Sequence, residues 1–238
     1  MHSCGALQLR GDSFDVNCFG SEIFVGLTKR LRGGILPVFY PKGGLFFLEG
    51  QPVRGVFLLR AGRVKELLAS NTGKTAIVRV VGPGELLGLS AVLGGGVHET
   101  SAEALQPTNA DFVGKGAFLH VLKTSGQLSQ MVASQLSRHC TEAYDSIRCL
   151  GLSASVSERV ARLLLHWAEY PLGNSALNTL EIRIRVTLTH EEIAQFVGST
   201  RETISRTVKE LRQKKWLRTD GSVWTIANEG ALRRLAAL

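Results

Sequence analysis

Between Gly126 and Gly151 the chain runs without a single glycine or proline, although it carries 26 glycines elsewhere and at those two borders. Such a stretch has nothing to break a helix, and its apolar residues decide what that helix does. Ala133, Cys140 and Ile147 form one seven-residue row, and Leu136, Ala143 and Leu150 form a second. The rows are offset by three and then four, the a/d pattern of a coiled-coil seam. One long helix is therefore expected over residues 125–152, pairing with a second copy of the chain. A helix packed on its own domain would show a similar stripe.

The two flanks differ in texture. Glycine clusters before residue 125, and from Ile35 to about Phe118 short apolar runs such as GLFFLEG, GVFLLRAGRV and AIVRVVGPGELLGL alternate with turn residues. That spacing predicts the strands of an all-β sandwich or barrel, with Gly50, Gly55, Gly62, Gly73, Gly82 and Gly84 at turns or bulges. Ahead of it, Ser21–Arg32 has helical character. After the long helix, Ser155 with Glu158 fits a capping box, opening a helix that ends before Pro171. LEIRIRVTL reads as a strand, and Thr189 with Glu192 repeats the capping device. A short turn at Gly198-Ser199 leads into a basic helix, and WLRTDGSVWTIAN reads as a hairpin turning at Asp220-Gly221. Helix, turn, basic helix and hairpin together spell a winged helix-turn-helix.

The basic helix carries chemistry suited to DNA. Arginine presents a planar fork matching O6 and N7 of guanine, and glutamate accepts from the amine of cytosine. Arg201, Glu202, Ser205 and Arg206 lie at i, i+1, i+4 and i+5, within a sector of roughly 140°. They are the expected base readers. Ile204, Val208 and Leu211 occupy the opposite sector and face the preceding helix. Lys209, Arg212, Lys214 and Lys215 suit phosphates, which fix affinity and register. In isolation the same pattern also describes a solvated helix with Glu202–Arg206 and Glu210–Lys214 ion pairs. The capped helix before it and the hairpin after it favour DNA.

Composition bounds the rest. A chain of 238 residues that is 44% hydrophobic has material for one large or two modest cores. The net charge of +8 is compatible with a polyanionic partner. No apolar stretch is long enough to span a membrane, and the first residues do not read as a signal peptide, so a cytoplasmic protein with reduced thiols is expected. The four cysteines, Cys4, Cys18, Cys140 and Cys149, contain no closely spaced pair, so no zinc site is implied. No P-loop, kinase glycine loop or GxSxG elbow occurs, which argues against an enzyme.

LTHEEIAQFVGSTRETISRTVKELRQKKWL resembles the helix-turn-helix of the Crp/Fnr superfamily of bacterial transcription regulators. EGQPVRGVFLLRAGRVKEL and GPGELLGLSAVL are similar to that family's cyclic-nucleotide-binding β-roll. The resemblance spans about residues 35–230 and implies an α+β fold. A β-roll (jelly roll) effector domain is expected over 1–124, a dimerisation helix over 125–152, and a winged helix-turn-helix DNA-binding domain over 153–238. It implies base contacts from the residues matching Arg201, Glu202 and Arg206, and phosphate contacts from those matching Thr189 and Thr200. Ser205, with Glu202 and Arg206, resembles the Glu-x-x-Ser-Arg pattern of the Fnr branch. The implied function is a homodimeric transcription regulator on a palindromic operator, its reading helices ~34 Å apart, with RNA polymerase as a further partner. The alternative is a ligand-binding dimer of the same class without specific DNA recognition.

The signal is not implied so directly. Where cyclic-AMP-binding members carry Gly-Glu-Leu, this chain has Gly88-Leu89-Ser90, and their Arg-Ser pair falls on Glu99-Thr100 or Thr100-Ser101. A glutamate facing a phosphodiester repels it, so cyclic AMP is disfavoured. Tyr144 and Asp145 replace the family's hydroxyl pair on the long helix. Leu87, Gly88, Leu89, Ser90 and Tyr144 are the candidate effector pocket. Cys4 and Cys18 lack the spacing of the Fnr-branch cluster, which disfavours an iron–sulfur centre. Cys140 and Cys149, nine residues apart on one helix, point to opposite faces and cannot share a metal. Haem-dependent gas sensors share the roll, and His98 and His139 are the candidate ligands here.

Overall fold

The structure is a computed structural model, and its described residues are 23, 25–27, 29–31, 34–152, 155–169 and 182–236. Cys4, Cys18, Ser153, Ala154 and Pro171 lie outside them, as does part of the helix expected over Ser21–Arg32. Within that stretch, Ile23, Val25–Leu27, Lys29 and Arg30 are helical.

Eight strands build the first half. They are β1 (Ile35–Tyr40), β2 (Leu45–Phe47), β3 (Gly55–Ala61), β4 (Val64–Ala69), β5 (Thr75–Val81), β6 (Leu86–Leu87), β7 (Ser101–Ala104) and β8 (Thr108–Gly114). They form two four-stranded sheets, in the orders β1-β8-β3-β6 and β2-β7-β4-β5, with every pairing antiparallel. Phe46, Phe57, Leu59, Val81, Leu87 and Ala110 belong to a core joining residues of both sheets. Tyr40 stacks on Phe46 at 3.9 Å, and Phe46 meets Phe57 edge-on. The expected turn glycines Gly50, Gly62, Gly73 and Gly84 all have positive φ, the region that L side chains avoid. Gly55 departs from the expectation. It opens β3, where a Cβ would run into the Val113 carbonyl and the Phe112 ring. There glycine serves strand approach rather than a turn.

Two helices interrupt this half where strand texture was expected, α1 (Leu89–Gly94) and α2 (Lys115–Thr124). The expected long helix follows as α3 (Gly126–Leu152). Its buried face, with Leu128, Met131 and Val132, packs with Phe118 and Val121 of α2, and with Ile23 and Leu27, against Val56, Leu58 and Val113 of the first sheet. Phe118 is wholly buried. Truncating such a ring to alanine costs about 3–5 kcal/mol.

The remainder comprises α4 (Val156–Glu169), β9 (Ile182–Arg185), α5 (His190–Val197), α6 (Arg201–Gln213), β10 (Leu217–Asp220), β11 (Val223–Ile226) and α7 (Glu229–Leu235). Ser155 accepts the Glu158 amide at the start of α4, as its spacing predicts. The hairpin β10–β11 forms, but Asp220 pairs with Val223, so its loop is Gly221-Ser222 instead of Asp220-Gly221. β9 adds to β11 as a third strand. The closing helix α7, capped by the Asn228 side chain, was not anticipated. Leu164, Trp167, Ile193, Ile204, Val208, Trp224 and Leu232 share one core. Leu105 from the first half belongs to that core, and Val80 packs on it. The winged unit is therefore docked against the β-sandwich.

Candidate nucleic-acid interface

Two capped helices set the geometry. At α5 the Thr189 hydroxyl accepts the Glu192 amide at 3.2 Å, while the Glu192 carboxylate accepts the Thr189 amide at 2.8 Å and its hydroxyl at 3.0 Å. Gly198 ends the helix with φ 61°, and Thr200 caps α6 by accepting the Thr203 amide at 3.3 Å. Both helix N-termini carry unsatisfied amides and positive dipole ends, which favour an anion such as phosphate.

The face of α6 divides as its sequence predicts. Ile204, Thr207, Val208 and Leu211 are buried. Arg201, Glu202 and Arg206 are exposed and Ser205 is half-buried. Lys209, Arg212, Lys214 and Lys215 are exposed toward the far end of the helix. Among the described residues, no ion pair joins Glu202 to Arg206 or Glu210 to Lys214. The candidate readers are thus not tied up along their own helix. Lys214 lies over the Trp216 ring at 4.8 Å, a cation–π seat that orders its stem. Lys215 takes a left-handed φ of 57°, closing the helix.

Thr189 and Arg212, far apart in sequence, come together around a cleft of about 220 Å³ that His190, Thr219 and Trp224 also line. His190 escaped the sequence reading. Its Nδ1 lies 2.9 Å from the Ser205 hydroxyl. A contact between residues fifteen positions apart, across a turn, leaves no periodic signal.

The candidate effector residues are spread over β6, α1 and α3. Leu87 fills the core between the sheets, whereas Leu89 belongs to the core under α2 and α3. Gly88, at φ 77°, caps α1. Ser90 donates to Glu99 at 3.2 Å. Tyr144 stands on α3, 62% exposed. Between β5, β6 and α3 lies a polar network that the sequence reading missed. Arg79 bonds Glu66 at 2.6 Å and approaches Glu142 at 3.9 Å. Gln135, fully buried, receives the Leu86 amide at 3.2 Å and donates to its carbonyl at 2.9 Å.

The two candidate haem ligands are already engaged. His98 is buried and stacks flat on Phe47 at 3.7 Å. Burial pushes its imidazole below the usual range, against the pull of Glu99 and Glu66. His139 Nε2 lies 3.1 Å from the Gln135 amide nitrogen. Burial first, then the charges of Arg79 and Arg138, lower its pKa to about 3. Among the described residues, no cluster of three histidine, cysteine, aspartate or glutamate side chains could hold a metal. Cys140 is exposed, and Cys149 faces the Arg159 carbonyl at 3.8 Å. Burial raises the Cys149 thiol pKa, more than Arg159 and Arg162 lower it. No described helix is long and apolar enough to cross a membrane.

An antiparallel sandwich, a long helix with an exposed apolar row and a winged helix-turn-helix with an exposed basic face make the architecture of a DNA-binding regulator. Two family models match successive parts of the chain, a cyclic nucleotide-binding domain over residues 37–125 and a Crp-like helix-turn-helix domain over residues 158–235. The CRP-like cAMP-activated global transcriptional regulator of Mycobacterium tuberculosis is 27% identical over 210 residues, covering 88% of this chain and 90% of that protein. The fumarate and nitrate reduction regulatory protein of Escherichia coli is 27% identical over 198 residues, covering 82% of this chain and 76% of that one. FixK2 of Bradyrhizobium japonicum superposes with a TM-score of 0.75 at 22% identity, covering 86% of this chain and 98% of that structure. The chain belongs to the Crp/Fnr superfamily. It is a transcription regulator with a helix-turn-helix DNA-binding domain, as its relatives are, and not an enzyme.

Proposed function

We propose that the chain binds a palindromic operator as a homodimer and that a signal at the β-roll sets its affinity. The observation that carries this is the state of two surfaces. At the start of α6, Arg201, Glu202 and Arg206 are exposed and have no ion-pair partner on that helix. On α3, the row Ala133, Cys140, Ile147 is exposed along its length, as are Tyr144 and Leu150. A second copy laid along that seam buries it and sets two reading helices on one face of a duplex.

Arg201, Glu202, Ser205 and Arg206 read bases, and Thr189, Thr200, Lys209, Arg212, Lys214 and Lys215 hold phosphates. Residues 1–124 sense, 125–152 dimerise and 153–238 bind DNA, in the cytoplasm and in contact with RNA polymerase. The signal differs from cyclic AMP, which activates the Mycobacterium relative. By resemblance, Leu89 falls where the cyclic-AMP-binding members carry a carboxylate, and Glu99 or Thr100 where they carry a guanidinium; Glu99 accepts a hydrogen bond from Ser90. For haem to bind through His139 or His98, one must give up its bond to Gln135 or its stack on Phe47. Mechanistically, a signal acts by population shift, favouring one arrangement of reading heads over another.

Two variants on one panel of duplexes test the assignment. Arg206→Ala is expected to abolish preference among sequences, a loss of about 1–3 kcal/mol of discrimination. Lys215→Ala is expected to weaken every duplex alike and to reduce the salt slope by about one. Equal losses on all duplexes from both variants overturn the division into readers and phosphate contacts.

A further inference from the structure

Serine is the least committed of the four side chains on the reading face. Its hydroxyl carries one proton and two lone pairs, and it turns to suit either a donor or an acceptor on a base. Ser205 is not free to turn, because its Oγ lies 2.9 Å from His190 Nδ1. His190 is itself held. It is the first residue of α5, half-buried, and its ring stands edge-on to Trp224 of β11 at 6.2 Å and 83°. Helix α5, the reading helix and the wing thus converge on one hydrogen bond.

We infer that His190 is a positioning residue that fixes the polarity of Ser205 and so sets base selectivity at the position Ser205 faces. The inference rests on the DNA reading proposed above. When Nδ1 accepts, it uses the only serine proton, and Ser205 meets the groove as an acceptor, suited to the amines of adenine or cytosine. When Nδ1 donates, the serine proton remains for O6 or N7 of guanine, N7 of adenine or O4 of thymine. A donating Nδ1 leaves Ser205 both its proton and a second lone pair, so selectivity requires Nδ1 to accept, which removes the donor option. A side chain that satisfied any base would contribute affinity without information. Held by His190, it discriminates.

The test uses the full chain and the best duplex selected from a random pool, with each position then varied through all four base pairs. His190→Phe keeps an aromatic ring against Trp224 but removes the nitrogen. It is expected to lose about tenfold discrimination at one symmetric position in each arm, with the ranking elsewhere and the salt dependence unchanged. His190→Asn, whose side-chain amide can take the place of Nδ1, is expected to restore discrimination there. Combining His190→Phe with Ser205→Ala is expected to cost no more than Ser205→Ala alone, since both act on one contact. The inference is overturned if His190→Phe keeps the full ranking, if it weakens all duplexes equally, or if asparagine fails to rescue. A wild-type chain that prefers no duplex would overturn the DNA reading itself, and this inference with it.

Discussion

His139 shows how much one half-buried imidazole can bias the molecule. Its neutral form is enforced by burial and by the facing charges of Arg79 and Arg138, and Gln135 contacts its Nε2. The folded pKa of about 3 lies well below the ordinary value near 6.5. The unfolded chain therefore takes up a proton first as pH falls. Stability from this group is complete above about 6.5 and drains toward pH 3, by at most about 1.4 kcal/mol per pH unit. Glu142 works in the opposite sense. Burial raises its carboxyl pKa against the pull of Arg79, so its contribution is largest at low pH and lost as pH rises. Glutamine at position 139 keeps a polar partner for Gln135 and cannot titrate. Urea midpoints at pH 7 and pH 5 are expected to fall further apart in the wild type than in His139→Gln. Equal falls would place the acid sensitivity elsewhere.

At the scale of elements, α3 has two faces of different fate. Leu128, Met131, Val132 and Gln135 are buried in the chain itself, while Ile147 is 65% exposed. An aspartate at 147 places two charges across the proposed seam, where no water compensates them. Ile147→Asp is expected to elute as a monomer with unchanged helical ellipticity, and to lose affinity for a palindrome far more than for a half-site. A dimer that survives this change assigns the contact to another face. The heptad rows, the capping box of α5 and the split faces of α6 were all legible because each is written in residues a few positions apart. The helices α1 and α2 were not, since Leu-Ser-Ala-Val-Leu and Ala-Phe-Leu-His-Val-Leu are short apolar runs that fit strand and helix alike. For the site, the exposed sector of α6 that carries the candidate reading residues could be named from its sequence. The His190–Ser205 bond could not, because it depends on how two helices cross.

At the scale of the whole molecule, one contact between its two halves is announced by no local pattern. Lys65 of β4 bonds Glu103 of β7 at 3.1 Å and Glu192 of α5 at 3.3 Å, with its own side chain only 10% exposed. One ammonium thus ties the sandwich to the capping residue of α5, beside Val80 and Leu105 at the edge of the winged core. Burial alone would raise the Glu192 carboxyl pKa. The Thr189 amide and hydroxyl and the Lys65 charge outweigh it and hold the pKa below the usual range. The depressed pKa means this support is present above the ordinary carboxylate range and is lost as pH falls through the folded value. Removing the cation leaves two carboxylates facing each other. The cost is about 2 kcal/mol, less than for a fully buried pair because Glu103 keeps some water. Only the dock should suffer, and the chain carries its own reporter. Its three tryptophans, Trp167, Trp216 and Trp224, all lie in α4 and the winged unit, whereas far-UV ellipticity averages over every element. In the wild type the two signals are expected to melt together, because the sandwich and the winged unit share buried contacts. In Lys65→Met the fluorescence midpoint is expected to fall several degrees below the ellipticity midpoint, as the winged unit loses its support first. If both midpoints fall together, Lys65 stabilises the sandwich alone. If neither moves, the pair with Glu192 contributes nothing, and the docked arrangement rests on Val80 and Leu105.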